Sequence, residues 1–109
     1  MKFRIYTFGC KTNQYDSEYL RRVLVNSMEE ASDRDAPDVI IVNTCSVTHI
    51  AERKARTLIR HLLRTYPNSR IIVTGCYAER DPKGIEGLGD LTVVGNRDKE
   101  KLYKLFSPN

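Results

Sequence analysis

Three residues of this 109-residue chain are suited by type and placement to chemistry: Cys10, Cys45 and Cys76, spaced 35 and 31 positions apart. A secreted disulfide framework carries an even and denser set of cysteines, so these thiols are expected to be free in a reducing compartment. Each stands just after a short extended run: KFRIYTF (2–8), VIIVN (39–43) and RIIVTG (70–75). If the runs form a parallel sheet, their carboxyl ends share one edge, where open α/β folds bind ligands. Three thiols at the same structural step predict a joint metal site. Soft thiolates without neighbouring histidine pairs favour an iron–sulfur cluster. Structural zinc takes four ligands, commonly in close pairs, and no C-x-x-C occurs here. His49 lies near the same edge and keeps a fourth zinc ligand open, whereas His61 falls mid-helix and reads as a surface histidine. Around a four-iron cluster, three cysteines would leave one iron free for an exogenous ligand.

The elements that must position the cysteines are legible as an alternation of strands and helices. Asn13 is placed to cap a helix with Asp16 at its third position. Leu20, Val23, Leu24, Ser27, Met28 and Ala31 recur at the spacing of one buried helix face. VIIVN is continuously apolar and β-branched, as in a strand covered on both faces. A second helix runs from about Val47 through Ile50, Ala51, Ala55, Leu58, Ile59, Leu62 and Tyr66 until Pro67 ends it. A shorter helical segment starts near Ala78. LTVVG (91–95) gives a further strand, and Asn96 or Asp98 can cap a last helix bearing Leu102, Leu105 and Phe106. The pattern predicts an α/β fold: a small open parallel sheet of four to five strands with helices on both faces, flavodoxin-like or Rossmann-like, in a single domain over 1–109.

The formal net charge of +4 is concentrated: residues 47–66 carry Arg53, Lys54, Arg56, Arg60 and Arg64 against Glu52 alone. On a helical wheel Arg53, Arg56, Arg60 and Arg64 form a stripe opposite Leu58 and Leu62. Such a stripe is a solvated face, a phosphate-contacting surface for RNA, or a docking face for another domain. No apolar run reaches the ~20 residues that span a bilayer, and MKFRIYTFG lacks a signal peptide's apolar region. The expectation is a soluble, cytoplasmic protein without a membrane partner.

FGCKTNQYDSE (8–18), VNTCSVTHIAERKAR (42–56) and VTGCYAER (73–80) together resemble the N-terminal domain of the methylthiotransferases, radical S-adenosylmethionine enzymes that modify tRNA or a ribosomal protein. The G-C-K-x-N-Q-Y start and N-T-C-x-V-T block are most like the branch acting on N6-threonylcarbamoyladenosine in tRNA. The resemblance implies that Cys10, Cys45 and Cys76 hold an auxiliary [4Fe-4S] cluster whose open iron takes part in sulfur delivery. Asn13, Asp16 and Ser17 belong to the same motif, as helix starters or as hydrogen-bonding neighbours of the cluster. In that family a second [4Fe-4S] cluster on C-x-x-x-C-x-x-C cleaves S-adenosylmethionine, and this motif does not occur here. The barrel carrying it and the C-terminal RNA-binding domain are expected to be missing partners, with tRNA reached through the full-length enzyme and the isolated domain inactive alone. Two other readings remain: a flavodoxin-like module for a nucleotide or flavin, and a zinc-stabilised interaction domain. Against the first, no G-x-G-x-x-G or G-x-x-x-x-G-K-[ST] follows any strand.

Overall fold

The computed structural model describes residues 1–9, 11–45 and 48–106; the side chains of Lys11, Thr12, Leu105 and Phe106 lie outside the description. In chain order the elements are β1 (Lys2–Thr7), α1 (Lys11–Leu24), β2 (Glu29–Glu30), β3 (Val39–Thr44), α2 (His49–Thr65), β4 (Arg70–Gly75), α3 (Cys76–Arg80), α4 (Pro82–Glu86), β5 (Thr92–Gly95), a 3-10 turn (Asn96–Asp98) and α5 (Lys99–Phe106). All pairings are parallel and the strand order is β2-β1-β3-β4-β5, the flavodoxin-like doubly wound arrangement.

The two apolar faces of the sheet follow from strand alternation. Ile40, Val42, Ile71 and Val73 point to one side, where Ala55, Ile59 and Leu62 of α2, Tyr77 and Ala78 of α3 and Ile85 of α4 close over them. Phe3, Val39, Ile41 and Ile72 point to the other, under Leu20 and Leu24 of α1 and Leu102 of α5. The continuous apolar run of β3 is buried at every position, as a central strand covered twice requires.

Three local expectations are corrected. Helix α1 begins at Lys11, so Asn13 sits inside its first turn rather than capping it. The same helix stops at Leu24, and a turn leads into β2; Ala31 is past the helix, its N–H bonding the carbonyl of Phe3 at 2.7 Å. Strand β2 is two glutamates, an edge strand formed by backbone pairing alone, with no apolar pattern to announce it. Ile50, expected on the buried side of α2, is 63% exposed. The predicted contributions of Val47, Leu105 and Phe106 fall outside the described residues or side chains.

Candidate metal edge and basic helix

Cys45 leaves β3 at the carboxyl edge, where β1 also ends. The Phe8 N–H donates to Asn43 O at 2.9 Å, and the next residue, Gly9, turns with φ +98°. A Cβ on Gly9 would stand 2.6 Å from Cys45 Cβ and 2.7 Å from its Sγ, so only glycine lets the chain pass against this sulfur. Cys45 is 5% exposed. Cys10 lies outside the described residues, but Gly9, its chain neighbour, is thus fixed beside Cys45 Sγ.

Cys76 follows β4. Thr44 and Gly75 are register partners, so Cys45 and Cys76 leave adjacent strands at the same level. Gly75 has φ +103°, and a Cβ there would meet the Thr44 backbone, its nitrogen at 2.7 Å. The Thr44 hydroxyl donates to Thr74 O at 2.6 Å and accepts the Ala78 N–H at 3.4 Å, joining the end of β3 to the start of α3. Cys76 itself is exposed, and Asn96 Nδ2 donates to its Sγ at 3.2 Å. Asn96, placed in the sequence as a helix cap, is therefore a neighbour of a candidate ligand; its signal was its position just beyond β5, the same step that each cysteine occupies.

The polar residues of the first motif form one network. Asn13 Nδ2 donates to Phe8 O at 2.7 Å and Thr44 O at 2.8 Å, tying together the segments that lead into Cys10 and Cys45. A buried amide replaces the expected cap because both carbonyls face it. Asn43 Nδ2 donates to Asn13 O and to Ser17 Oγ, both at 3.0 Å, and Ser17 also accepts from Thr7 Oγ1 at 2.7 Å. Asp16 points elsewhere and pairs with Lys99 of α5 at 2.8 Å. Two buried polar atoms near this edge, the Asn43 Oδ1 acceptor and the Thr74 hydroxyl, have no hydrogen-bond partner among the described residues. An unpaired buried polar atom is costly away from a ligand site.

On α2 the cationic stripe divides. Arg53, Arg60 and Arg64 are exposed, whereas Arg56 turns aside to donate to the Tyr77 hydroxyl at 2.8 Å. Tyr77 lies between Arg56 and Arg80, whose guanidinium carbons stand 5.9 and 5.4 Å from its ring centre. Arg80 in turn forms a two-pronged pair with the buried Glu52, at 2.7 and 2.5 Å. Sequence reading missed this latch because Glu52 and Arg80 are 28 positions apart. His49, the first residue of α2 after its Thr48 cap, is exposed; His61 is also exposed and lies 3.4 Å from Thr65 Oγ1.

Among the described residues, no group of three or more His, Cys, Asp and Glu side chains gathers as a metal site. The donor set nevertheless fits a thiophilic centre: two cysteines leave neighbouring strands together, and the glycine preceding the third packs on one of their sulfurs. No helix among the described residues is long and apolar enough to cross a membrane.

Fold and edge together define a flavodoxin-like domain in which Cys45 and Cys76 stand where β3 and β4 end. The crystal structure of the phosphorylated cyanobacterial phytochrome response regulator RcpA is similar, with a TM-score of 0.61 at 15% identity over 96% of this chain and 87% of that one, a likeness of fold. The model of the family described as "Uncharacterized protein family UPF0004" matches residues 2–95, and the chain belongs to that family, the N-terminal domain of the methylthiotransferases. The Threonylcarbamoyladenosine tRNA methylthiotransferase MtaB of Treponema pallidum (strain Nichols) is 43% identical, covering 95% of this chain and 23% of the relative. The protein of the same name from Bacillus subtilis (strain 168) is 38% identical, covering 89% of this chain and 22% of the relative. The chain thus spans under a quarter of the length of these curated relatives, which are named for the threonylcarbamoyladenosine branch.

Proposed function

We propose that this chain is the auxiliary [4Fe-4S] cluster-binding unit of a tRNA methylthiotransferase acting on N6-threonylcarbamoyladenosine. The observation that carries the reading is the packing of Gly9 against Cys45 Sγ, one strand away from the Thr44–Gly75 pair that sets Cys45 and Cys76 level. Cys10, Cys45 and Cys76 would hold the cluster, which when bound supplies an iron open to an exogenous sulfur ligand. The chain's own residues do the positioning. Asn13 fixes the approaches to two of the cysteines, Asn43, itself bonded to Ser17, holds the Asn13 carbonyl, and Asn96 donates to the third sulfur. Exposed cations of α2 supply electrostatic attraction for tRNA, with Arg53, Arg60 and Arg64 free to serve and Arg56 committed to Tyr77. The barrel with its second cluster and S-adenosylmethionine, and the C-terminal RNA-binding domain, belong to the remaining length of the enzyme, so this chain alone does not methylthiolate tRNA.

Anaerobic reconstitution with iron and sulfide tests the assignment. The expected product is brown, holds about four iron atoms per chain and loses them when Cys10, Cys45 or Cys76 is replaced by alanine. A colourless chain retaining zinc would favour the interaction-domain reading, and one retaining neither metal would sink the cluster assignment.

A further inference from the structure

A parallel crossover between strands is usually helical, yet Ala31–Asp38, which links β2 to β3, contains no helix. The right-handed path of that link lies on the α2 side of the sheet. The face of β1 on that side, bearing Arg4, Tyr6 and Phe8, consequently has α2 along one flank and no helix over it. A groove of about 560 Å³ results. Phe8 and Leu58 form its apolar floor, and Arg53, Lys54, His61 and Arg64 stand around it, with no carboxylate among the described residues that line it. Arg53, Lys54 and Arg64 form no ion pair among the described residues. At its amino-edge end the Arg4 guanidinium holds the Tyr66 hydroxyl at 3.1 Å. At the other end Phe8 leads through Gly9 to the cysteine edge.

We infer that this groove takes a short single-stranded stretch of RNA, with a base against Phe8 and its phosphates along Arg53, Lys54 and Arg64. Charge decides the occupant. Covering three cations that have no ion-pair partner among the described residues with an apolar surface would bury them uncompensated, at high cost. A phosphate chain neutralises them while leaving a base free to stack on an aromatic face, the usual mode for unpaired RNA. Arg53 and Arg64 are 11 positions apart on α2, about 16 Å at 1.5 Å per residue, a span of a few nucleotides. The inference rests on the proposed tRNA reading but is narrower: it keeps Arg53 and Arg64 of the arginine stripe and joins them to Lys54 and Phe8 on the flank of α2 that faces β1. It also directs the strand's path toward the sulfur edge.

The test is fluorescence anisotropy of the 109-residue chain with a labelled single-stranded RNA of about 12 nucleotides. Lys54→Gln with Arg64→Gln should weaken binding and flatten the slope of log affinity against log salt by about 1.4, at roughly 0.7 per phosphate contact. Phe8→Leu should weaken binding about tenfold with the salt slope unchanged. Lys83→Gln, at an exposed cation of α4 outside the groove lining, should change the affinity far less. Circular dichroism and thermal midpoints matching the parent would show that each variant is folded. Equal binding by parent and groove variants would overturn the inference. So would an absence of RNA binding at low salt, which together with self-association on ultracentrifugation would give the face to protein. Iron retention by the same variants separates this result from the cluster assignment, since loss of RNA binding with normal cluster content touches the groove alone.

Discussion

At the residue scale, the site depends on two glycines more directly than on any charged group. Gly9 has a positive φ and no room for a methyl group beside Cys45. Gly9→Ala should therefore lower the stability of the chain by about 2–3 kcal/mol in urea titrations, from backbone strain and the forced shift of the sulfur. It should reduce iron retention as well. Gly87→Ala is the matched control: Gly87 has helical φ and ψ, and its added Cβ would have 3.6 Å to its nearest neighbours. That substitution should be neutral or stabilising by about 0.5 kcal/mol. A Gly9→Ala protein as stable as the parent would show that the turn can reopen without cost. The glycine before Cys10 was plain in the sequence, but its contact was not, because Cys45 reaches it only through pairing of β1 with β3.

At the scale of elements, α2 and α3 are locked together just behind Cys76. Glu52 is 4% exposed, while its partner Arg80 keeps about half of its side chain in solvent. That exposure discounts the pair from the several kcal/mol of a fully buried one. Glu52→Gln should cost about 1–2 kcal/mol, read as a lower urea midpoint at unchanged slope, and Arg80→Lys should recover less than the two-pronged pair gives. Little or no change would mean that Tyr77 alone holds α3 in place. Strands β3 and β4 were legible because β-branched apolar runs have few alternative structures, and β1, less uniformly apolar, was legible only as an extended run. Strand β2 and the Glu52–Arg80 pair were not, since one rests on backbone bonds alone and the other on a long-range contact. The arginine stripe was legible as charge, but its division depended on Tyr77, which lies outside α2.

At the scale of the whole molecule, the helix-free link must be held to the sheet by polar contacts. Asp35 accepts from Lys2 Nζ at 2.9 Å and from the Ser32 hydroxyl at 2.9 Å, and Arg4 donates to Asp35 O at 2.9 Å. The Lys2 ammonium, with Ser32, holds the Asp35 carboxyl down at about 2 from its ordinary 3.8. A lowered folded value means that the contribution is complete above the ordinary value and disappears as pH falls toward about 2. Stability curves of the parent and Asp35→Asn should accordingly be separated at neutral pH and converge through that acid window. Curves that stay parallel down to about pH 2 would place the link's attachment elsewhere, in the Arg4 contacts. None of this was visible in Ala31–Asp38 read alone, where Ala31 was placed on the preceding helix and nothing marked the contact of Asp35 with Lys2.

Strands β1, β3 and β4 are each six residues long, and Cys45 and Cys76 each come one residue after the strand before them. Strand length therefore works as a ruler. Loss or gain of a single codon within β3 would turn Asn43 toward the opposite face of the sheet and move Cys45 out of level with Cys76. A conservative exchange of one apolar residue in the same strand would leave both in place. In a family that keeps this site, the strands should vary in side chain far more freely than in length, while the helix-free link absorbs the insertions.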